Sequence, residues 1–82
     1  MLDEKTKELV AIGAAITANC QPCLNYHAAK AREQGAVNAE ILAAIEVGKR
    51  VRRGAAGKMD GFVSGLVGSE PLPPAVGDCG CQ

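Results

Sequence analysis

Two thiols, one imidazole and one carboxylate occupy the positions in this sequence that could do chemistry. Cys20-Gln21-Pro22-Cys23 sets two sulfurs three residues apart, and His27 follows the second by four. On a helix those spacings bring side chains onto one face, so the sulfurs can approach bonding distance with the imidazole one turn beyond Cys23. Proline is tolerated in a helix's first turn, so Pro22 points to a helix start, with Asn19 or Gln21 as the cap. Unpaired N–H groups and the positive helix end there favour thiolate over thiol. Such settings lower a cysteine pKa from about 8.5 to roughly 3.5–7.5. His27 can take the thiol proton or pair with the thiolate as imidazolium. Glu8 comes from the preceding helix and can orient His27 or relay its proton, provided the two helices pack antiparallel. The chemistry this predicts is thiol redox at the dithiol.

The same residues admit other readings. A CxxC pair is also half of a zinc site, with His27 as a third ligand; Cys20, Cys23, Cys79 and Cys81 together could supply four thiolates. That alternative is a small helical metal-binding module. A third is an oligomeric structural protein whose dithiol only senses redox state. Cys79-Gly80-Cys81 is either an accessory redox dithiol on a flexible arm or an incidental part of a tail. Lys49, Arg50, Arg52, Arg53 and Lys58 form a basic cluster. Such a cluster suits a solvated face, a surface between subunits or an anionic partner. No aromatic residues interleave it, which argues against stacking on nucleic acid.

Helices must position these groups. Asp3 is the expected N-cap of a helix over roughly 4–18, with Leu9, Ile12 and Ile16 as its apolar stripe and Glu8 at the stripe's edge. A second helix runs from the CxxC through Glu33, with Gly35 as its stop. Asn38 is the expected cap of a third helix, which places Ile41, Leu42, Ile45 and Gly48 on one face. Met59, Phe62, Val63, Leu66 and Val67 repeat at helical spacing. Gly54 and Gly57 between these faces mark either a bend in one helix or a break between two. From residue 68, Pro71, Pro73, Pro74, Gly77 and Gly80 argue for an extended tail. The expectation is an all-α small bundle over residues 1–67 followed by a Pro/Gly-rich tail over 68–82.

Composition bounds the rest. The 82 residues are 48% apolar but include one Phe, one Tyr and no Trp. A domain this small buries only about 60% of its unfolded surface alone, so helical faces are expected to be shared in a homo-oligomer. The net charge of zero creates no global field toward nucleic acid or anionic membrane. No apolar run approaches the roughly 20 residues of a membrane span. The opening Met1-Leu2-Asp3-Glu4-Lys5 lacks a signal peptide's basic start and apolar stretch, so a cytoplasmic location is expected. Cysteines in a reducing compartment are more often catalytic or metal-binding than structural.

Glu8, Cys20-Gln21-Pro22-Cys23 and His27, in that order and spacing, resemble the alkylhydroperoxidase D-like group of the carboxymuconolactone decarboxylase family. The resemblance spans roughly residues 2–66, including LDEKTKELVAIGAAITANCQPC and NAEILAAIEVGKRVRRGAAGK. It implies an all-helical fold, assembly as trimers or hexamers, no cofactor, and a dithiol that reduces peroxides or exchanges disulfides. It further implies that Cys23 attacks the peroxide and becomes a sulfenic acid, that Cys20 resolves it as a disulfide, and that His27 and Glu8 relay protons. A dithiol donor, lipoyl or thioredoxin-like, would then restore the thiols. Pro22 stands where some relatives carry a histidine, which removes any relay through that position.

Overall fold

The computed structural model describes residues 1–68, and among these the chain forms three helices and no strand. They are α1 (Glu4–Thr17), α2 (Gln21–Glu33) and α3 (Asn38–Val67). The all-α expectation holds, and the first two helices fall within a residue of their expected bounds. The tail cysteines Cys79 and Cys81 lie outside the described residues, as does nearly all of the expected 68–82 tail.

Asp3 caps α1 as its sequence position demands: its carboxylate accepts from the Thr6 N–H at 2.7 Å. The two connections share one device. Asn19 adopts the left-handed conformation at φ 56°, while the Cys20 N–H donates to the Ala15 carbonyl and the Asn19 N–H to that of Ile16. After α2, Gly35 (φ 94°) repeats this, with the Ala36 N–H on Ala31 and the Gly35 N–H on Arg32. Both are Schellman closures, in which a left-handed residue lets the chain satisfy carbonyls that a helix end leaves open.

α3 departs from expectation at its start and decides an alternative the sequence leaves open. Val37, not Asn38, is its cap. Val37 has no side-chain acceptor, so the start is held from the other side, by Glu40 accepting from the Val37 N–H at 3.0 Å. The Asn38 oxygen instead accepts from Arg32. The helix also continues unbroken through Gly54 and Gly57, so the two apolar faces belong to one 30-residue helix. The two glycines cost about 1 kcal/mol each relative to alanine, and the helix-forming residues around them outweigh that.

α1 lies between the others. The short turn and the Glu8–His27 contact make α1 and α2 antiparallel. Lys5 meets Glu40 at 3.0 Å near one end of α1, and Thr17 donates to the Gly48 carbonyl near the other, so α1 and α3 run parallel. The core is Ile12, Ala31, Ala36 and Ile41, with Leu9, Leu24, Ala28, Ala44 and Ile45 packed around it. Ile12 is the one large side chain fully buried among the described residues. Leu42, expected on the core face, is 58% exposed, because it sits about 100° around the helix from Ile41. Met59, Phe62 and Leu66 face outward on the part of α3 that extends beyond the other helices.

The caps make stability acid-sensitive. The Thr6 N–H holds the Asp3 carboxyl below its ordinary value of 3.8; the Val37 N–H, then Lys5, holds Glu40 below 4.5. A carboxyl with a depressed folded pKa stabilises the fold above its unfolded value, and that stabilisation is lost as pH falls through the folded one. Helicity followed by circular dichroism should therefore fall below about pH 4. Asp3→Asn, which keeps a capping oxygen without titrating, should shallow that fall.

Candidate active site

Cys20 has two structural roles. It closes the Schellman turn of α1 and is itself the N-cap of α2, in place of Asn19 or Gln21. Pro22 occupies the first turn as expected, and the Cys23 N–H points at the Cys20 sulfur at 3.3 Å. The two cysteines are joined by a disulfide, their Cα atoms 5.2 Å apart. Cys23 is exposed and Cys20 half-buried.

One turn further on, His27 Nδ1 lies 2.7 Å from Glu8 Oε1. Both side chains are half-buried. An ionised carboxylate only accepts hydrogen bonds, so Nδ1 carries the proton and donates it, which leaves Nε2 as the nitrogen able to exchange protons with a reactant. The Tyr26 ring packs edge-on against the imidazole with centroids 5.0 Å apart. Cys20, Cys23 and His27 line one cleft of about 240 Å³ with Ala11, Ala14, Ala15 and Ala18. All four sequence-derived site residues are thus brought together, Glu8 through its bond to His27. The alanines of α1 were not singled out from the sequence. Their signal was present, since alanine at the i, i+3, i+4 and i+7 positions of one helix leaves a shallow groove where larger residues would fill it.

A second group escaped sequence reasoning. Arg52 was one of five residues in the basic cluster, yet it alone reaches the turn before the dithiol. Its Nη1 donates to Asn19 Oδ1 at 2.8 Å and to the Ile16 carbonyl at 3.2 Å. With Asn19, Cys20, Gln21 and Leu24 it lines a separate cleft of about 110 Å³. Lys49 pairs with Glu46 at 3.6 Å, while Arg50, Arg53 and Lys58 are exposed. Among the described residues, no three His, Cys, Asp or Glu side chains are arranged to hold a metal ion. No helix there is long and apolar enough to cross a membrane.

These features define a small all-helical protein with a paired CxxC at a helix start and a His–Glu couple beside it. The chain belongs to the carboxymuconolactone decarboxylase family, whose model matches residues 1–57. It is 42% identical over 55 residues to a Paracoccus denitrificans protein described as "Uncharacterized protein 4 in cox locus". That match takes in 67% of this chain and 50% of the relative. No solved structure matches the chain.

Proposed function

We propose that this protein is a dithiol oxidoreductase of the alkylhydroperoxidase-like kind, cycling Cys20 and Cys23 between thiols and the disulfide. The observation that carries the reading is the shared cleft, where both sulfurs and a carboxylate-anchored imidazole meet. Family membership supports it, since the family includes alkylhydroperoxidases as well as decarboxylases.

In the reduced protein, His27 Nε2 takes the Cys23 proton, and Glu8 stabilises the imidazolium that results. The Cys23 thiolate attacks the terminal peroxide oxygen and the O–O bond breaks. The departing alkoxide takes the proton back from His27. Cys23 is now a sulfenic acid; the Cys20 thiol attacks its sulfur, water leaves and the disulfide forms. An external dithiol returns the two electrons.

The direct test is mass spectrometry of the reduced protein after one equivalent of hydroperoxide, coupled to a consumption assay with a dithiol donor. The expected product is a closed Cys20–Cys23 bond with turnover. Peroxide left unconsumed and both thiols still free would end the peroxidase reading. Glu8→Gln keeps a hydrogen-bonding side chain without the charge that stabilises imidazolium. It should slow Cys23 oxidation at pH 7 by about tenfold, and His27→Phe by about a hundredfold. Both deficits should shrink as pH rises and the thiol ionises unaided.

We infer further that the protein acts as a homo-oligomer. Val10, Val47 and Val51 stand exposed along an apolar groove of about 450 Å³ between α1 and α3, and Met59, Phe62 and Leu66 are exposed further along α3. Light scattering at micromolar concentration should give a mass above the 8.4 kDa of one chain.

A further inference from the structure

The disulfide borders two clefts of different character. One, lined by four alanines and His27, touches both sulfur-bearing residues. The other touches Cys20 but not Cys23, and its polar wall is Asn19, Gln21 and Arg52. Thiol–disulfide exchange is an in-line displacement, so a thiolate attacking Cys20 must approach from the side away from Cys23. The Arg52 cleft borders Cys20 and not Cys23, so a thiol seated in it meets Cys20 first.

Arg52 is held there firmly. Its Nη1 bonds the Ile16 carbonyl and Asn19 Oδ1, the two groups that shape the turn delivering Cys20. Both contacts use one nitrogen, so Nη2 and Nε keep donors for another acceptor. A guanidinium with spare donors beside a disulfide attracts an anion and orients it in a fixed geometry. At about 110 Å³ the cleft is well below the several hundred Å³ of an ordinary ligand pocket, so it admits a slender group and not a bulky one.

We propose that Arg52 receives the anionic end of the electron donor, a slender dithiol carrying a carboxylate or similar group near its sulfur, and directs its attack onto Cys20. The proposal rests on the dithiol reading above. The donor thiolate attacks Cys20 Sγ; the Cys20–Cys23 bond breaks and Cys23 leaves as thiolate, protonated by His27 or water. The donor's second thiolate then attacks the donor sulfur of the mixed disulfide, releasing the Cys20 thiolate. The donor ends as a disulfide, two electrons poorer, and the protein as a dithiol. Oxidant and reductant thus reach the same pair through two different clefts.

The test uses the oxidised full chain and three monothiols of similar size: anionic 3-mercaptopropionate, neutral 2-mercaptoethanol and cationic cysteamine. Each thiol serves as its own control between protein variants. In Arg52→Gln the rate with mercaptopropionate should fall about fivefold, with mercaptoethanol change less than about twofold, and with cysteamine rise. Arg52→Lys should retain most of the anion preference. Because the Gln variant also weakens the turn, wild-type protein in 1 M salt provides a second route, and its preference should fall there too. Quenching with iodoacetamide traps the first intermediate; the donor should map to Cys20 and the alkyl group to Cys23. Equal factors for all three thiols, a salt-independent preference, or a mixed disulfide on Cys23, the more exposed sulfur, would overturn the assignment. A disulfide that none of the thiols reduces would instead sink the dithiol reading itself.

Discussion

Cys23→Ser is expected to abolish peroxide turnover, lowering it on the order of ten-thousandfold or more, while leaving the helices intact. A serine hydroxyl is essentially never ionised near neutral pH and has no route to a sulfenic acid, so the first step has no substitute. The fold should tolerate the change, because Cys23 is exposed and the helix-start hydrogen bond uses its backbone N–H, so serine removes only the sulfur's bond to Cys20. Cys20→Ser should behave differently. Cys23 can still attack peroxide once, so single-turnover consumption should survive, with a sulfenic acid that a dimedone probe traps. Steady-state turnover should stop because no neighbour closes the disulfide. If Cys20→Ser lost the first turnover and Cys23→Ser kept it, the two roles would be reversed. That outcome would place the attacking thiol on the half-buried sulfur at the cap of α2.

The distinction is worth drawing because the environments differ visibly. Cys20 is half-buried and held by both helix ends, through the Schellman turn of α1 and the cap of α2. Cys23 is exposed and lies one turn before the imidazole. A nucleophile needs access, and a resolving thiol needs a fixed position within reach. That contrast is what supports the proposed roles, Cys23 as the attacking thiol and Cys20 as the resolving one.

Much of this was legible in the sequence because it is local. Asp3 before an apolar periodic run, Pro22 in a first turn and Gly35 after a last one are each decided within four or five residues. The Glu8–His27 couple was legible as well, since a short turn after α1 leaves the antiparallel packing that pairs positions 8 and 27. What escaped is non-local or a contest between weak terms. Arg52 reaches the Asn19 turn only because α3 lies parallel to α1 in one particular register. The continuity of α3 through Gly54 and Gly57 is a balance of helix propensities, with nothing packed at either glycine to reveal it. The start of α3 turned on whether Glu40 bonds the Val37 N–H, leaving Asn38 free to accept from Arg32 instead.

That register has a single steric keystone, and one substitution made at two places in α3 should expose it. A Cβ added at Gly48 would sit 2.5 Å from the Gly13 carbonyl oxygen and 2.8 Å from Ile16 Cβ. Neither neighbour is the far end of a flexible side chain, so α1 and α3 must part. Overpacking of this kind costs typically about 1–3 kcal/mol and occasionally more, against a helix-propensity gain of about 1 kcal/mol from replacing glycine. At 2.5 Å from a backbone oxygen the steric cost belongs at or above the top of that range. The net loss for Gly48→Ala should be about 2 kcal/mol or more, a large fraction of a small domain's stability. Gly57→Ala, in the same helix with nothing within 4 Å of the added carbon, should stabilise by up to about 1 kcal/mol. Urea unfolding reads both, as midpoints moving in opposite directions. The destabilised variant should also lose the Thr17 bond to the Gly48 carbonyl and loosen Arg52 one turn further along. Its anionic-thiol preference should therefore weaken along with its stability. Midpoints that rose together would mean that α1 and α3 do not approach closely at Gly48, and the placement of Arg52 beside Cys20 would fall with that contact.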